Sequence, residues 1–205
     1  AQQTLDYLQS LYEKKLATYP RTDSQYLTED MQATAASLIL WLRDNMPFGK
    51  GCLGEPDIDR VTDGSKVTDH HAIIPTVEIA RTDLSALPSG ERDVLTLIAM
   101  RLLCATGQAH RFEAVTAVLD CAGYSFTAKG KTVLQAGWKE IERLYRTGLK
   151  QAEPEQADPA DAALPELTQG QTFEPVTAGV REGKTSPPKH YTEDSLLAAM
   201  ETAGA

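Results

Sequence analysis

Residues 11–27, LYEKKLATYPRTDSQYL, decide how this chain is read. Leu5, Leu8, Leu11, Tyr12 and Leu16 recur at helical spacing, which predicts a helix over residues 3–16 with one apolar side. Pro20 forbids the helix from continuing and biases Tyr19 toward extended backbone. In extended chain, residues i and i+2 project to the same side, so Tyr19 and Arg21 can face one substrate together. A phenol becomes a nucleophile when its proton is removed or its oxyanion is stabilised. A guanidinium fork suits a phosphate and the charge that builds as it is attacked. Asp23 and Ser24 can fix the turn or orient Arg21. On the residues alone a plainer reading stands beside this one: a Tyr next to a Pro often only packs, and Arg21 with Asp23 forms a surface ion pair.

Downstream, Thr28 reads as the cap of a second helix, with Glu29 and Asp30 in its first turn. Met31, Ala35, Leu38, Ile39 and Leu42 hold helical spacing to about Met46. Residues 47–68 are rich in glycine and read as loop. Ser89 reads as the cap of a third helix over residues 90–106, with Val94, Leu97, Ile98, Leu102 and Ala105 inward, and Gly107 ends it. Residues 113–119 and 124–128, joined through Ala122-Gly123, predict a β-hairpin. The acidic, proline-bearing stretch 150–166 predicts a solvated linker, and residues 172–181 a further strand. Thr192 caps a last helix, and Tyr191 can staple onto Leu196. The expectation is an α+β chain: helical over 1–107, mainly antiparallel β over 108–190, and the start of another helix over 191–205.

Bulk properties narrow the function. The 205 residues carry a formal charge of −9, which argues against a general nucleic-acid binder, since phosphate neutralisation supplies most of such affinity. No 18-residue apolar run exists, so no membrane helix is expected. The first residues have neither an initiator Met nor the layout of a secretory signal, and both ends read as cut from a longer protein. Cys52, Cys104 and Cys121 are odd in number, widely spaced and without a CxxC pair, which argues against disulfides and a zinc ribbon and fits a reducing cytoplasm.

Two further patches carry chemistry. Thr68-Asp69-His70-His71-Ala72-Ile73-Ile74-Pro75-Thr76 places adjacent imidazoles in a loop, where they can donate to a phosphate. A plain loop pair of histidines is the alternative. A metal site is disfavoured, because adjacent side chains diverge in extended chain and no Cys or Glu cluster lies nearby. Residues 181–191, REGKTSPPKHY, contain GKT but lack the glycine spacing of a phosphate-binding loop, and Pro187 and Pro188 forbid the helix that must follow. No nucleotide is expected there.

In this order, the three segments resemble the type IA DNA topoisomerases. LYEKKLATYPRTDSQYL looks like the family's active-site tyrosine segment, with YPRTDS pointing to its topoisomerase III-like branch. DHHAIIPT, about fifty residues on, resembles the histidine motif, and EGKTSPPKHYTEDSLLAAME the return toward the core domain. The resemblance implies that Tyr19 attacks one DNA strand to form a 5′-phosphotyrosine bond and free a 3′-hydroxyl. It implies that Arg21 stabilises the transition state and that His70 touches the scissile phosphate. Arg21, Thr22, His70 and His71 would contact the DNA. Strand passage and resealing need no ATP. The helical part would be the tyrosine-bearing domain, and the β part half of the arch that carries it. Mg²⁺ is expected on acidic residues of the longer protein, with no cofactor or metal held here. The partner would be single-stranded DNA, bound weakly by this piece alone, in a bacterial, nucleoid-associated cytoplasmic setting. Two other readings remain: a non-catalytic DNA-binding or interaction module that kept the fold, and a tyrosine nicking enzyme, which usually clusters metal-binding histidines.

Overall fold

The computed structural model describes residues 2–149, 163–174, 177, 179–180 and 182–203. The chain divides into two compact units, Gln2–Leu164 and Pro165–Ala205. The first holds α1 (Gln2–Glu13), α2 (Gln32–Asn45), α3 (Ser89–Thr106), the strands β1 (Arg111–Cys121) and β2 (Tyr124–Gln135), and α4 (Trp138–Gly148). The second holds α5 (Glu193–Glu201). Helices with one antiparallel two-stranded sheet make this an α+β chain.

Helix α1 stops earlier than its apolar spacing suggests. Lys15 takes a left-handed φ of 60°, and the Leu16 N–H donates to the Leu11 carbonyl at 2.8 Å. That six-to-one bond, with both leucines buried, is a Schellman-type end built without glycine. Leu16 is therefore core, but core of the turn rather than of the helix.

Helix α2 begins at Gln32, after a 3-10 turn over Glu29–Met31, and the Thr28 side chain makes no capping bond. Ala35, Leu38, Ile39 and Leu42 are buried as the spacing predicts. Helix α3 begins at Ser89 itself, and Pro88 takes the cap position. Its buried face is Leu95, Ala99, Met100, Leu102, Leu103 and Cys104; of the predicted stripe, Leu102 is buried and Val94 and Ile98 are half-buried against the core. Leu97 is 42% exposed and Ala105 is exposed. The helix is apolar nearly all round, so periodicity alone does not fix which face turns inward.

Residues 47–68, read as loop, contain three short 3-10 turns, Pro47–Gly51, Ile58–Val61 and Gly64–Lys66, and two more follow at Val77–Arg81 and Leu84–Ala86. Helix α4 lies inside the stretch expected to be β. Its signal is Trp138, Ile141, Leu144 and Tyr145, all packed on the core, with Ile141 fully buried. It rests on α3 and on the 3-10 turn Pro47–Gly51. A Cβ on Gly51 would lie 2.7 Å from the Ile141 backbone nitrogen, so only glycine admits the helix this closely.

The β-hairpin forms where predicted and runs longer on both strands. Ala122 and Gly123 have φ of 53° and 81°, the left-handed pair that a tight two-residue turn requires. Cross-strand pairs run from Cys121↔Tyr124 to Phe112↔Val133. One face carries Val115, Leu119, Phe126 and Tyr124, the other Thr116, Thr127, Lys129 and Lys131.

In the second unit, the predicted strand over 172–181 is not found. Residues 172–174, 177, 179 and 180 have no regular structure, and 175, 176, 178 and 181 lie outside the described residues. The 150–162 part of the predicted linker also lies outside them, while 163–166 have no regular structure. Residues 182–192 are likewise irregular, so GKT opens no helix. Thr192 does cap α5: its Oγ1 accepts from the Ser195 N–H at 3.2 Å, and Ser195 Oγ accepts from the Thr192 N–H at 2.8 Å. Tyr191 stays 69% exposed and Leu196 46%.

Candidate active site

Two segments far apart in sequence are stitched together beside α1. The chain leaving α1 pairs with the segment that carries the histidines. Ala17 and Pro75 form an antiparallel bridge. The Thr18 N–H donates to the Ile74 carbonyl, and the Thr76 N–H to the Leu16 carbonyl, each at 3.0 Å. The Thr18 hydroxyl works twice, donating to the Ala72 carbonyl at 3.3 Å and accepting from the Ile74 N–H at 2.9 Å. Ala72 returns a bond of its own, its N–H donating to the Tyr26 carbonyl at 2.9 Å. Residues 18–26 therefore form a loop with both stems tied to Ala72.

Tyr19 lies at the start of that loop, half-buried between two rings. The His70 ring stacks on it with centroids 4.3 Å apart, tilted by 41°. The Tyr12 ring meets it edge-on at 5.3 Å, an arrangement aromatic quadrupoles favour. Pro20, next in the chain, is buried and so anchors the segment while the phenol stays accessible.

The other predicted residues are placed as follows. Arg21 is exposed and, among the described residues, makes no hydrogen bond, ion pair or ring contact. Its guanidinium is open to a ligand, but the structure does not join it to Tyr19 or His70. The Thr22 hydroxyl donates to the His70 carbonyl at 2.7 Å and accepts from the Ser24 N–H at 3.0 Å. His70 is exposed apart from its Tyr19 contact. His71 is half-buried, and its Nδ1 lies 2.8 Å from the Ala72 carbonyl. A carbonyl only accepts, so Nδ1 carries the proton and Nε2 is left for other partners.

Asp23 and Ser24 fix the turn and do not touch Arg21. Asp23 accepts from the Thr68 hydroxyl at 3.4 Å. Ser24 Oγ donates to the Lys66 carbonyl at 3.0 Å and accepts from the Tyr26 N–H at 3.1 Å. Below them, Lys66 sits 4.3 Å over the Tyr26 ring and 3.0 Å from Asp63. The Asp63 and Tyr26 contacts raise the Lys66 pKa above its ordinary value.

Sequence reasoning missed two contributors. Tyr12 reads as a core residue of α1, yet it is 40% exposed with its edge on Tyr19. Thr18 drew no notice, because a threonine's role as a backbone splice is invisible until its partners are known. Among the described residues, no group of three or more His, Cys, Asp or Glu is placed to hold a metal ion. No described helix is long and apolar enough to cross a membrane.

The chain matches, over residues 1–205, the protein family described as "DNA topoisomerase". It is 37% identical over its whole length to a Bacillus subtilis strain 168 protein named DNA topoisomerase 3, spanning 28% of that protein. A Vibrio cholerae protein of the same name is 35% identical over 98% of this chain and 30% of its own length. A Bacillus cereus protein of that name is 34% identical over 98% of the chain and 27% of its own length. The chain thus spans less than a third of these relatives.

Proposed function

Because this chain belongs to the type IA DNA topoisomerases, in the branch whose relatives are named DNA topoisomerase 3, we propose that it carries the residues that cut and rejoin one DNA strand. In this reading Tyr19 Oη attacks a backbone phosphorus. The new O–P bond forms as the bond to the 3′ oxygen breaks, and the proton lost by the phenol ends on that 3′ oxygen. The strand is left with a 5′-phosphotyrosine link and a free 3′-hydroxyl. Religation is the reverse exchange, one ester for another, so no ATP is consumed. Between the two steps the second strand passes.

The observation that carries the reading is the Tyr19–His70 pair, 4.3 Å between ring centroids. An accessible phenol lies against an imidazole from a loop fifty residues away, with an unengaged guanidinium two residues on. Arg21 is positioned by sequence to neutralise charge on the phosphoryl oxygens as they crowd. His70 is the donor assigned to the phosphate, with His71 Nε2 as a second contact. The helical part serves as the tyrosine-bearing domain and the β-hairpin as part of the arch that carries it. The Mg²⁺ site of the reaction is assigned to segments outside this chain, single-stranded DNA is its partner, and the bacterial cytoplasm its setting.

The test is the covalent intermediate. Tyr19→Phe in a full-length enzyme removes one hydroxyl while keeping the ring contacts with Tyr12 and His70. It should abolish denaturant-stable DNA–protein adducts and leave thermal stability unchanged. An adduct that survives the substitution rules Tyr19 out as the nucleophile.

A further inference from the structure

Resting on that reading, we propose that Thr22 is a positioning residue that sets His70 against Tyr19, rather than a DNA contact. A threonine has one O–H to give, and Thr22 gives it to the His70 carbonyl at 2.7 Å. Phosphate oxygens only accept. To bind one through its donor, Thr22 would have to release His70, the residue whose placement the chemistry needs. Its oxygen is also engaged, accepting from the Ser24 N–H at 3.0 Å.

The surroundings show what this single bond decides. Ala72, two residues after His70, is tied to Thr18 and to Tyr26. Thr68, two residues before it, reaches Asp23. Between these ties the His70 backbone is held to the tyrosine loop by the Thr22 hydroxyl. The imidazole meets the Tyr19 ring but is otherwise exposed, so nothing else fixes its position. Threonine suits the task, because its branched Cβ confines χ1 and points the hydroxyl one way. Proximity chemistry is sensitive to such placement, a displacement of about 1 Å costing up to 10²-fold in rate.

The experiment uses a full-length enzyme carrying this chain, a single-stranded oligonucleotide and single-turnover cleavage. Thr22→Val keeps the shape and loses the donor. It should slow adduct formation by roughly ten- to a hundredfold, leaving DNA affinity within about twofold of wild type. Thr22→Ser restores the hydroxyl and most of the rate. Added to His70→Ala, the Thr22→Val change should cost nothing further, because its effect passes through His70. Losses that multiply in the double variant, weakened DNA binding in Thr22→Val, or an unchanged cleavage rate would each overturn the assignment. Resonances of the labelled His70 ring supply a readout independent of chemistry: Thr22→Val should move them and Thr22→Ser should not, and unmoved resonances also overturn it. Tyr19→Phe runs alongside, so an adduct surviving there defeats the functional reading separately from the Thr22 assignment.

Discussion

At the scale of the residue, Lys15 bears an uncommon burden. A side chain at φ 60° costs about 1–2 kcal/mol relative to glycine, from the clash of its Cβ with the following carbonyl. The turn keeps it because Leu11 and Leu16 must both reach the core and because Thr18 must land opposite Ile74. Lys15→Gly should therefore stabilise the fold, by about 0.5–1 kcal/mol after the added unfolded-state entropy of glycine. Urea denaturation checks this, and a lower midpoint would show that Lys15 is held by contacts rather than tolerated. Thr18 is the opposite case, an ordinary residue with much to do, since its hydroxyl alone bonds two backbone groups of the histidine segment.

At the scale of the element, α1 is fixed to α3 by more than apolar packing. Glu91, nearly buried in the first turn of α3, accepts from the Ser10 hydroxyl at 2.9 Å and pairs with Lys14, both on the α1 side. The Lys14 hydrogen bond above all, then Ser10, holds the Glu91 carboxyl below its ordinary value of 4.5, against the opposing effect of burial. A depressed carboxylate contributes stability that is fully present above the unfolded pKa and is lost as pH falls through the folded one. Stability should therefore drop below about pH 4.5 through this strut. Glu91→Gln should flatten that part of the acid limb and cost about 1–2 kcal/mol at pH 7, discounted because Lys14 is 42% exposed. Chemical denaturation of both proteins across pH 3–7 reads the difference, and parallel acid limbs would remove Glu91 from the account.

At the scale of the whole molecule, the chain carries little of the positive charge that holds DNA. Its formal charge is −9, and affinity for nucleic acid comes largely from cations that displace counterions from phosphates. It also spans only 28% of the Bacillus subtilis relative. The isolated chain should neither cleave nor relax negatively supercoiled plasmid in the presence of Mg²⁺, and should bind single strands weakly. Relaxation above background on an agarose gel would contradict this. The β-hairpin leaves Val118 69%, Phe126 58% and Leu134 62% exposed.

The sequence by itself determined the order and kind of the local pieces: a helix broken before Tyr19, two more helices, a hairpin turning at Ala122-Gly123, and a threonine-capped α5. These follow from short-range rules, periodicity and turn chemistry, that act within a few residues. It also named Tyr19 and His70 through a resemblance of motifs, and folding stacks their two rings. Tertiary structure alone decided the rest. The buried face of α3 was settled by what packs against it, and α4 became a helix where Gly51 leaves room for its backbone. Thr22 acquired a partner forty-eight residues away only because the loop closed on Ala72. Such contacts join segments with no local signature of their own, and a hydroxyl's role depends on which acceptor folding brings within reach.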